Sequence, residues 1–507
     1  MDWIAQGNTR LWLTTAAIAL VVMWFVKRIV SRTKNLPPGP TGIPLLGVAW
    51  EMIRANPDPL GLYSSWADQY GDVVSFKVGP LTFVLLNSYD VILEAFNHPN
   101  LNNRPKSRMV EEVLGLANNG ITLANGKVWE EQRKFTHSVF RSLGVGKKSY
   151  EDTVSAEMDQ LRGAIEEMKG APFDPNILFG QAVANIVCSI AFGTQYKYTN
   201  AEFKQLLRLM NINIELSSGG GALLFLPLPG ISKIPFGAPK KMVENMKQVN
   251  RFLLDQIESH EKSVDLDHPK DFIDLYLKKM ADTKDSETSF NKMNLNSAVG
   301  DLFFAGTETT TTTLKWCILY MMAFPEVQSR VQDELDHVVG RERLPGLADL
   351  KDLPFTNAVL LEVQRKSAVA ALGVPHIAAA DTTFRGYTIP KGATILSNIW
   401  KVLNRKDRWQ DPEKFNPDRF LTEDGKLTRR EELIFFSTGR RVCPGEQLAR
   451  METFLGFTSL LHRFTFTKPD NTPALSFEGA VGNVYKAKCG SGLTGGWGLV
   501  ILFRGRK

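Results

Sequence analysis

The 507 residues hold only four cysteines, Cys188, Cys317, Cys443 and Cys489, and no two of them form a C-x-x-C pair. This argues against a zinc site and a disulfide framework, and fits a reducing compartment. Charge of one sign is also scarce. Sixty Lys and Arg against 54 Asp and Glu leave a net charge of +6, spread along the chain. That balance gives no nucleic-acid footprint and only a weak leaning toward acidic partners or an anionic membrane surface. No fixed period recurs, which excludes a solenoid or propeller. What remains is 43% apolar and 22% charged, a composition that fits a globular protein with a sizeable core.

One long uncharged run is present, "LWLTTAAIALVVMWFV" from Leu11 to Val26. At about 1.5 Å per residue it reaches roughly 24 Å, slightly short of a bilayer core unless its flanks snorkel. Arg10 precedes it, and Lys27, Arg28, Arg32 and Lys34 follow. The asymmetry favours an uncleaved anchor with the following domain in the cytoplasm; a cleaved signal peptide would carry its charge on the other flank. The expected layout is a short lumenal N-terminus (1–10), a transmembrane signal-anchor (11–30), a basic, proline-rich hinge (31–47) and one large domain (48–507). In "NLPPGPTGIPLLG" four prolines within eight residues predict a stiff extended connector.

Beyond the hinge, "DVVSFKVGPLTFVLLNS" alternates about Gly79-Pro80 and predicts a β-hairpin. Helical periodicity dominates from about residue 125 to 340, broken by the Gly/Pro-rich "GGGALLFLPLPG" and the charged "EKSVDLDHPKD". Strand character returns at "DTTFRGYTIPKGATILSNIW", and "EQLARMETFLGFTSLLHRF" is helical again. The fold class is therefore mainly α with small β-sheets.

Within "FFSTGRRVCPGE" stands a cysteine in a loop of Gly, Arg and Pro. Core filler, nucleophile and metal ligand are the readings open to it. The last has specific support. Phe436, Gly439, Arg441, Cys443 and Gly445 spell F-x-x-G-x-R-x-C-x-G, with a helix directly behind. A ligating thiolate needs positive surroundings and amide donors. A helix N-terminus offers both, the glycines allow close approach, and Arg441 would add charge.

On these residues the chain resembles a cytochrome P-450, a haem-thiolate monooxygenase. The resemblance implies that fold for the large domain, haem b as cofactor and Cys443 as axial ligand of its iron. Four further segments carry it. "FFAGTETT" places Ala305 and Gly306 at the haem, Gly306 giving dioxygen room, with Thr309 as hydroxyl donor and Glu308 as proton source. "WEEQRKF" places Trp129 and Arg133 on a haem propionate, where Arg104 and His376 align as further contacts. "LEVQRK" with "EKFNPDRF" implies a structural Glu362–Arg365–Arg419 network. Thr311–Thr313 receive no role.

"PPGPTGIPLLG", "GVPH" and "GEQLARMETFL" are most similar to animal microsomal members of the second P-450 family. That implies an endoplasmic reticulum membrane, electrons from an NADPH–cytochrome reductase, cytochrome b5 as a further donor, and a fatty acid, steroid or foreign lipophile as substrate. Arg133, Lys134, Lys147, Lys148 and Arg440 are the candidate reductase contacts. Pocket-lining segments are expected near 109–122, 303–304, 369–374 and 480–484. Two other readings stand beside this one: a haem-thiolate isomerase or lyase acting on peroxides, and a membrane-anchored haem or lipid-binding protein without turnover. Ala371 and Phe435 stand where the family usually has proline, and "KAKCGSGLTGGWGLVILFRGRK" departs from its usual closing strands.

Overall fold

The structure is a computed structural model that describes residues 35–55, 58–217, 230–283, 288–470, 475–477, 479–480, 485–487 and 501–506. The anchor run and most of the Gly/Pro-rich break lie outside these residues. Helices predominate, and the longest is a 32-residue core helix, Lys292–Ala323. Asn291 starts it by accepting the Asn294 N–H at 2.9 Å, and it stops before Pro325, which cannot continue the hydrogen-bond ladder. It packs on the helices Pro175–Phe192, Gly237–Ser263, Pro354–Ser367 and Glu446–Arg463. From Thr310 to Met322 it is buried all round, which its run of Thr and apolar residues, interrupted by Lys315, allows.

Pro175–Phe192 is long and apolar enough to cross a membrane, yet 78% of it is buried inside the fold, so it is a core helix. Phe179 and Phe192 on it are fully enclosed, each burial stabilising by roughly 2–3 kcal/mol.

The expected hairpin forms as β1 (Val73–Val78) and β2 (Leu81–Leu86), with Phe76 opposite Phe83 and their rings stacked at 5.1 Å. The later strands are β3 (His376–Ile377), β4 (Thr382–Phe384), β5 (Tyr387–Ile389) and β6 (Thr394–Ser397). The main sheet runs β1-β2-β6-β3, so β6 pairs in parallel with β2 from 311 residues away. Its far edge continues into a bridge, with Ile377 N–H donating to the Asn103 carbonyl at 2.7 Å. That bridge carries the 100–104 loop to β3.

The proline-rich segment is not a free connector. Ser75 donates its N–H to the Pro38 carbonyl at 2.9 Å and its hydroxyl to the Pro37 carbonyl at 2.6 Å. Val48 N–H is held by the Lys77 carbonyl at 2.8 Å. Prolines lack N–H donors but keep acceptors, so they pair along the edge of β1. The proline-rich segment is thus held against the sheet from Pro37 onward. At the other end, Leu502–Gly505 pairs antiparallel with Phe464–Thr467, so the chain does close with a strand despite its unusual sequence.

Candidate active site

Among the described cysteines, Cys188 and Cys317 are fully buried inside helices, where desolvation pushes their thiols far up. Cys443 alone lies in a loop. Its N–H donates to the Phe436 carbonyl at 3.0 Å and closes the turn. Gly439 has φ +73°, and a Cβ there would lie 2.7 Å from the Phe96 carbonyl oxygen, so the loop sits backbone on backbone where only glycine fits. Gly445 begins the Glu446–Arg463 helix, and its amide favours an anionic sulfur.

Burial still dominates and pushes the Cys443 thiol up, with the Gly445 amide and the Arg133 charge opposing it. The sequence reading credited the loop with keeping a thiolate. The folded chain alone does not, because desolvation outweighs these groups; metal coordination is what deprotonates such a thiol. The charge beside the sulfur also belongs to a different residue. Arg133 donates to the Val442 carbonyl at 2.6 Å and acts on Cys443. Arg441 instead turns inward, lies over the Trp129 ring at 4.0 Å, and donates to the Asn102 carbonyl and to Asn125 Oδ1, each at 3.2 Å.

Arg441 thereby joins Arg104. Arg104 donates from Nη1 to the carbonyls of Val374 (2.6 Å) and Pro375 (3.0 Å), and its N–H bonds Asn125 Oδ1 at 2.7 Å. Arg104 Nε, Arg441 Nη1 and Trp129 Nε1 are buried donors without an acceptor. Burial, followed by repulsion among the guanidinium groups, pulls both Arg104 and Arg441 down to about 9. Like charges with unused donors are complementary to an anion, and the carboxylates of a haem fit this nest.

His376 closes one wall. Its ring stacks on Phe96 at 3.8 Å, and its Nδ1–H donates to the Leu101 carbonyl at 3.1 Å. Burial, with Arg104 adding to it, pushes His376 down to about 2.

The core helix supplies the opposite wall. Phe304, at 36% exposed, and Ala305 open one face in the middle of an otherwise enclosed helix. Thr309 lies on the same face and donates its hydroxyl to the Ala305 carbonyl at 2.7 Å, which leaves its oxygen lone pairs outward. Of the paired phenylalanines only Phe304 faces this space; Phe303 is fully buried near Phe192. A Cβ on Gly306 would meet Val187 Cγ2 at 2.7 Å, so its smallness also serves helix packing. Glu308 is buried, with Lys486 Nζ 2.5 Å from its Oε1.

The cytochrome P450 family model matches residues 37–488. The chain belongs to the cytochrome P450 family. It is similar to human cytochrome P450 2J2, 39% identical over 472 residues that cover 92% of each chain. Human cytochrome P450 2U1 is 37% identical, covering 89% of this chain and 86% of its own, and rat cytochrome P450 2J3 is 39% identical, covering 92% of each. This P450 is accordingly a haem monooxygenase whose family binds haem through an axial cysteine thiolate.

Behind the P450 cysteine loop, Glu362 and Arg365 are wholly buried. Arg365 bonds both Glu362 oxygens, at 2.7 and 2.8 Å, and Arg419 Nε reaches Oε1 at 3.1 Å. Arg365 also donates to the carbonyls of Leu403 and Pro412, tying three segments together. Of the five basic surface candidates, Lys134, Lys147, Lys148 and Arg440 are exposed, whereas Arg133 is turned into the cysteine loop. Ala371 is buried and its carbonyl accepts the Trp400 N–H at 3.0 Å; Phe435 packs edge-on to Phe436.

Several site residues escape sequence reasoning. Asn125 ties Arg104 to Arg441; its "NG" before the tryptophan helix was the only local signal. Asp301 accepts the N–H groups of Ile121 (2.7 Å) and Thr122 (2.9 Å), pinning the 116–124 loop to the core helix; burial pushes its carboxyl up to about 6. Lys486 gave no signal at all.

Proposed function

We propose that this P450 inserts one oxygen atom into a lipophilic small molecule, a fatty acid, steroid or foreign compound, with NADPH electrons delivered by a flavin reductase. The observation that carries this reading is the open apolar face of the core helix, Phe304 and Ala305, beside the Thr309 hydroxyl. Val374, 46% exposed, adds an apolar side chain next to the Arg104 nest. Such a lining binds by desolvation and sets orientation with few polar groups.

Cys443 would ligate the haem iron, and Arg104, Arg441 and Trp129 would hold the haem carboxylates. Bound there, haem supplies activation of O₂, with one atom inserted and the other released as water. The chain's own residues hold, exclude and move protons. Thr309 offers its hydroxyl oxygen to the open face, and Glu308 is the nearby acid that restores its proton. The apolar face excludes water that would otherwise divert the reducing equivalents. Around the cysteine loop, exposed Lys134, Lys147, Lys148 and Arg440 form a basic rim suited to an acidic reductase or cytochrome b5.

The exposed apolar side chains Leu45, Leu46, Trp50 and Ile53 follow the anchor run and support attachment to the endoplasmic reticulum membrane, with the domain on the cytoplasmic side. The test is spectral and catalytic. Cys443→Ala should lose the red-shifted ferrous–carbonyl band of the wild type. Wild type with reductase should accelerate NADPH oxidation and form a hydroxylated product from at least one member of a fatty-acid, steroid and drug panel. A histidine-type carbonyl spectrum in wild type, or silence across the panel, would overturn the reading.

A further inference from the structure

We propose that Lys486 is a positioning residue for proton delivery, the counter-cation that fixes the Glu308 carboxylate; this rests on Glu308 being the acid of the relay. The two side chains are both enclosed, with side-chain exposures of 8% and 10%, and Nζ lies 2.5 Å from Oε1. Thr312 Oγ1 donates to the same oxygen at 3.4 Å. Both contacts fall on Oε1.

The lysine is not there by chance of a loose tail. Its neighbour Tyr485 donates its N–H to the Val369 carbonyl at 2.8 Å and accepts the Gly479 N–H on its hydroxyl at 2.9 Å. The Tyr485 carbonyl accepts Trp316 Nε1–H at 3.2 Å, and the two rings stack at 6.0 Å. Trp316 lies two turns beyond Glu308 on the core helix. One residue is thus locked to the core helix, and the next delivers its ammonium to the acid on that same helix.

A buried carboxylate needs a partner to stay ionised, and removing one member of a buried pair leaves the other uncompensated. Without Lys486 the Glu308 carboxyl takes up a proton to become neutral and is free to rotate away from Thr309. The lysine therefore acts through Glu308 and touches no reacting atom.

The test compares Lys486→Met, Lys486→Arg, Glu308→Gln and the Lys486→Met/Glu308→Gln double variant in the full-length, haem-loaded protein. In resting protein, Lys486→Met should gain an infrared carboxylic-acid C=O band that is absent from wild type and from the double variant. With reductase and a turned-over lipophile, it should raise the peroxide-to-product ratio about tenfold, matching Glu308→Gln. Lys486→Arg, which keeps the charge, should restore wild-type coupling and show no band beyond those of wild type. No new band and wild-type coupling in Lys486→Met would overturn the proposal. Equal loss in Lys486→Arg and Lys486→Met, with lowered haem content, would make Lys486 a structural residue only and also overturn it. Normal coupling in Glu308→Gln would instead remove Glu308 from the relay, and the positioning role with it, while the infrared band would still report the ion pair.

Discussion

Glu452 should make this protein lose stability as the pH rises from 5 to 8. It lies on the Glu446–Arg463 helix, 1% exposed, and neither carboxyl oxygen has a hydrogen-bond partner of ordinary geometry. Desolvation pushes its carboxyl from 4.5 up to about 8, eased only by the Thr310 hydroxyl of the core helix. The folded chain thus keeps a proton that the unfolded chain loses. The stabilising contribution is fully present below about pH 4.5 and is lost as the pH rises through about 8. The slope is about 1.4 kcal/mol per pH unit, or about 4 kcal/mol between pH 5 and 8. Glu452→Gln keeps the shape and removes the titration. The two proteins should be nearly equal at pH 5, and the variant should be more stable by about 3 kcal/mol at pH 7. Urea unfolding of the haem-loaded proteins, followed by far-UV circular dichroism and tryptophan fluorescence at several pH values, measures the difference. Parallel stability–pH curves for the two proteins would refute the reasoning, because they would mean that Glu452 is solvated or paired in the fold.

Three further outcomes are expected. Thr309→Ala should keep the carbonyl spectrum yet raise peroxide release per NADPH about tenfold, measured by peroxide and product assays together. Glu362→Ala strands the wholly buried Arg365 and should cost about 3–5 kcal/mol in urea unfolding, with loss of haem incorporation. His260 hydrogen-bonds Asp271 at 3.1 Å, the main cause that raises its imidazole to about 9. Its stabilising contribution is present below pH 6.5 and lost as the pH rises through about 9, so His260→Gln should flatten that part of the stability curve by about 2 kcal/mol.

The local parts of this molecule were legible because their signals are local. The hairpin followed from alternation about Gly79-Pro80, the helix behind the cysteine from its start signals, and the haem-thiolate chemistry from five residues within Phe436–Gly445. Glu362 and Arg365 were readable as one helical face, three residues apart. Which cation serves which group was not readable. Arg441 stands two residues from Cys443 in sequence, yet burial turned it to Asn102, 339 residues away, while Arg133 reached the cysteine loop across 309. Arg104 meets Val374 only because Ile377 bridges Asn103 at the sheet edge, and Lys486 meets Glu308 only because Tyr485 docks on Trp316. The sequence by itself determined the family and the candidate ligand loop, since such a loop is a matter of residue types at short spacing. Only the tertiary structure decided the electrostatics around it, since charges at 3 to 5 Å act through space and chain order does not encode that distance.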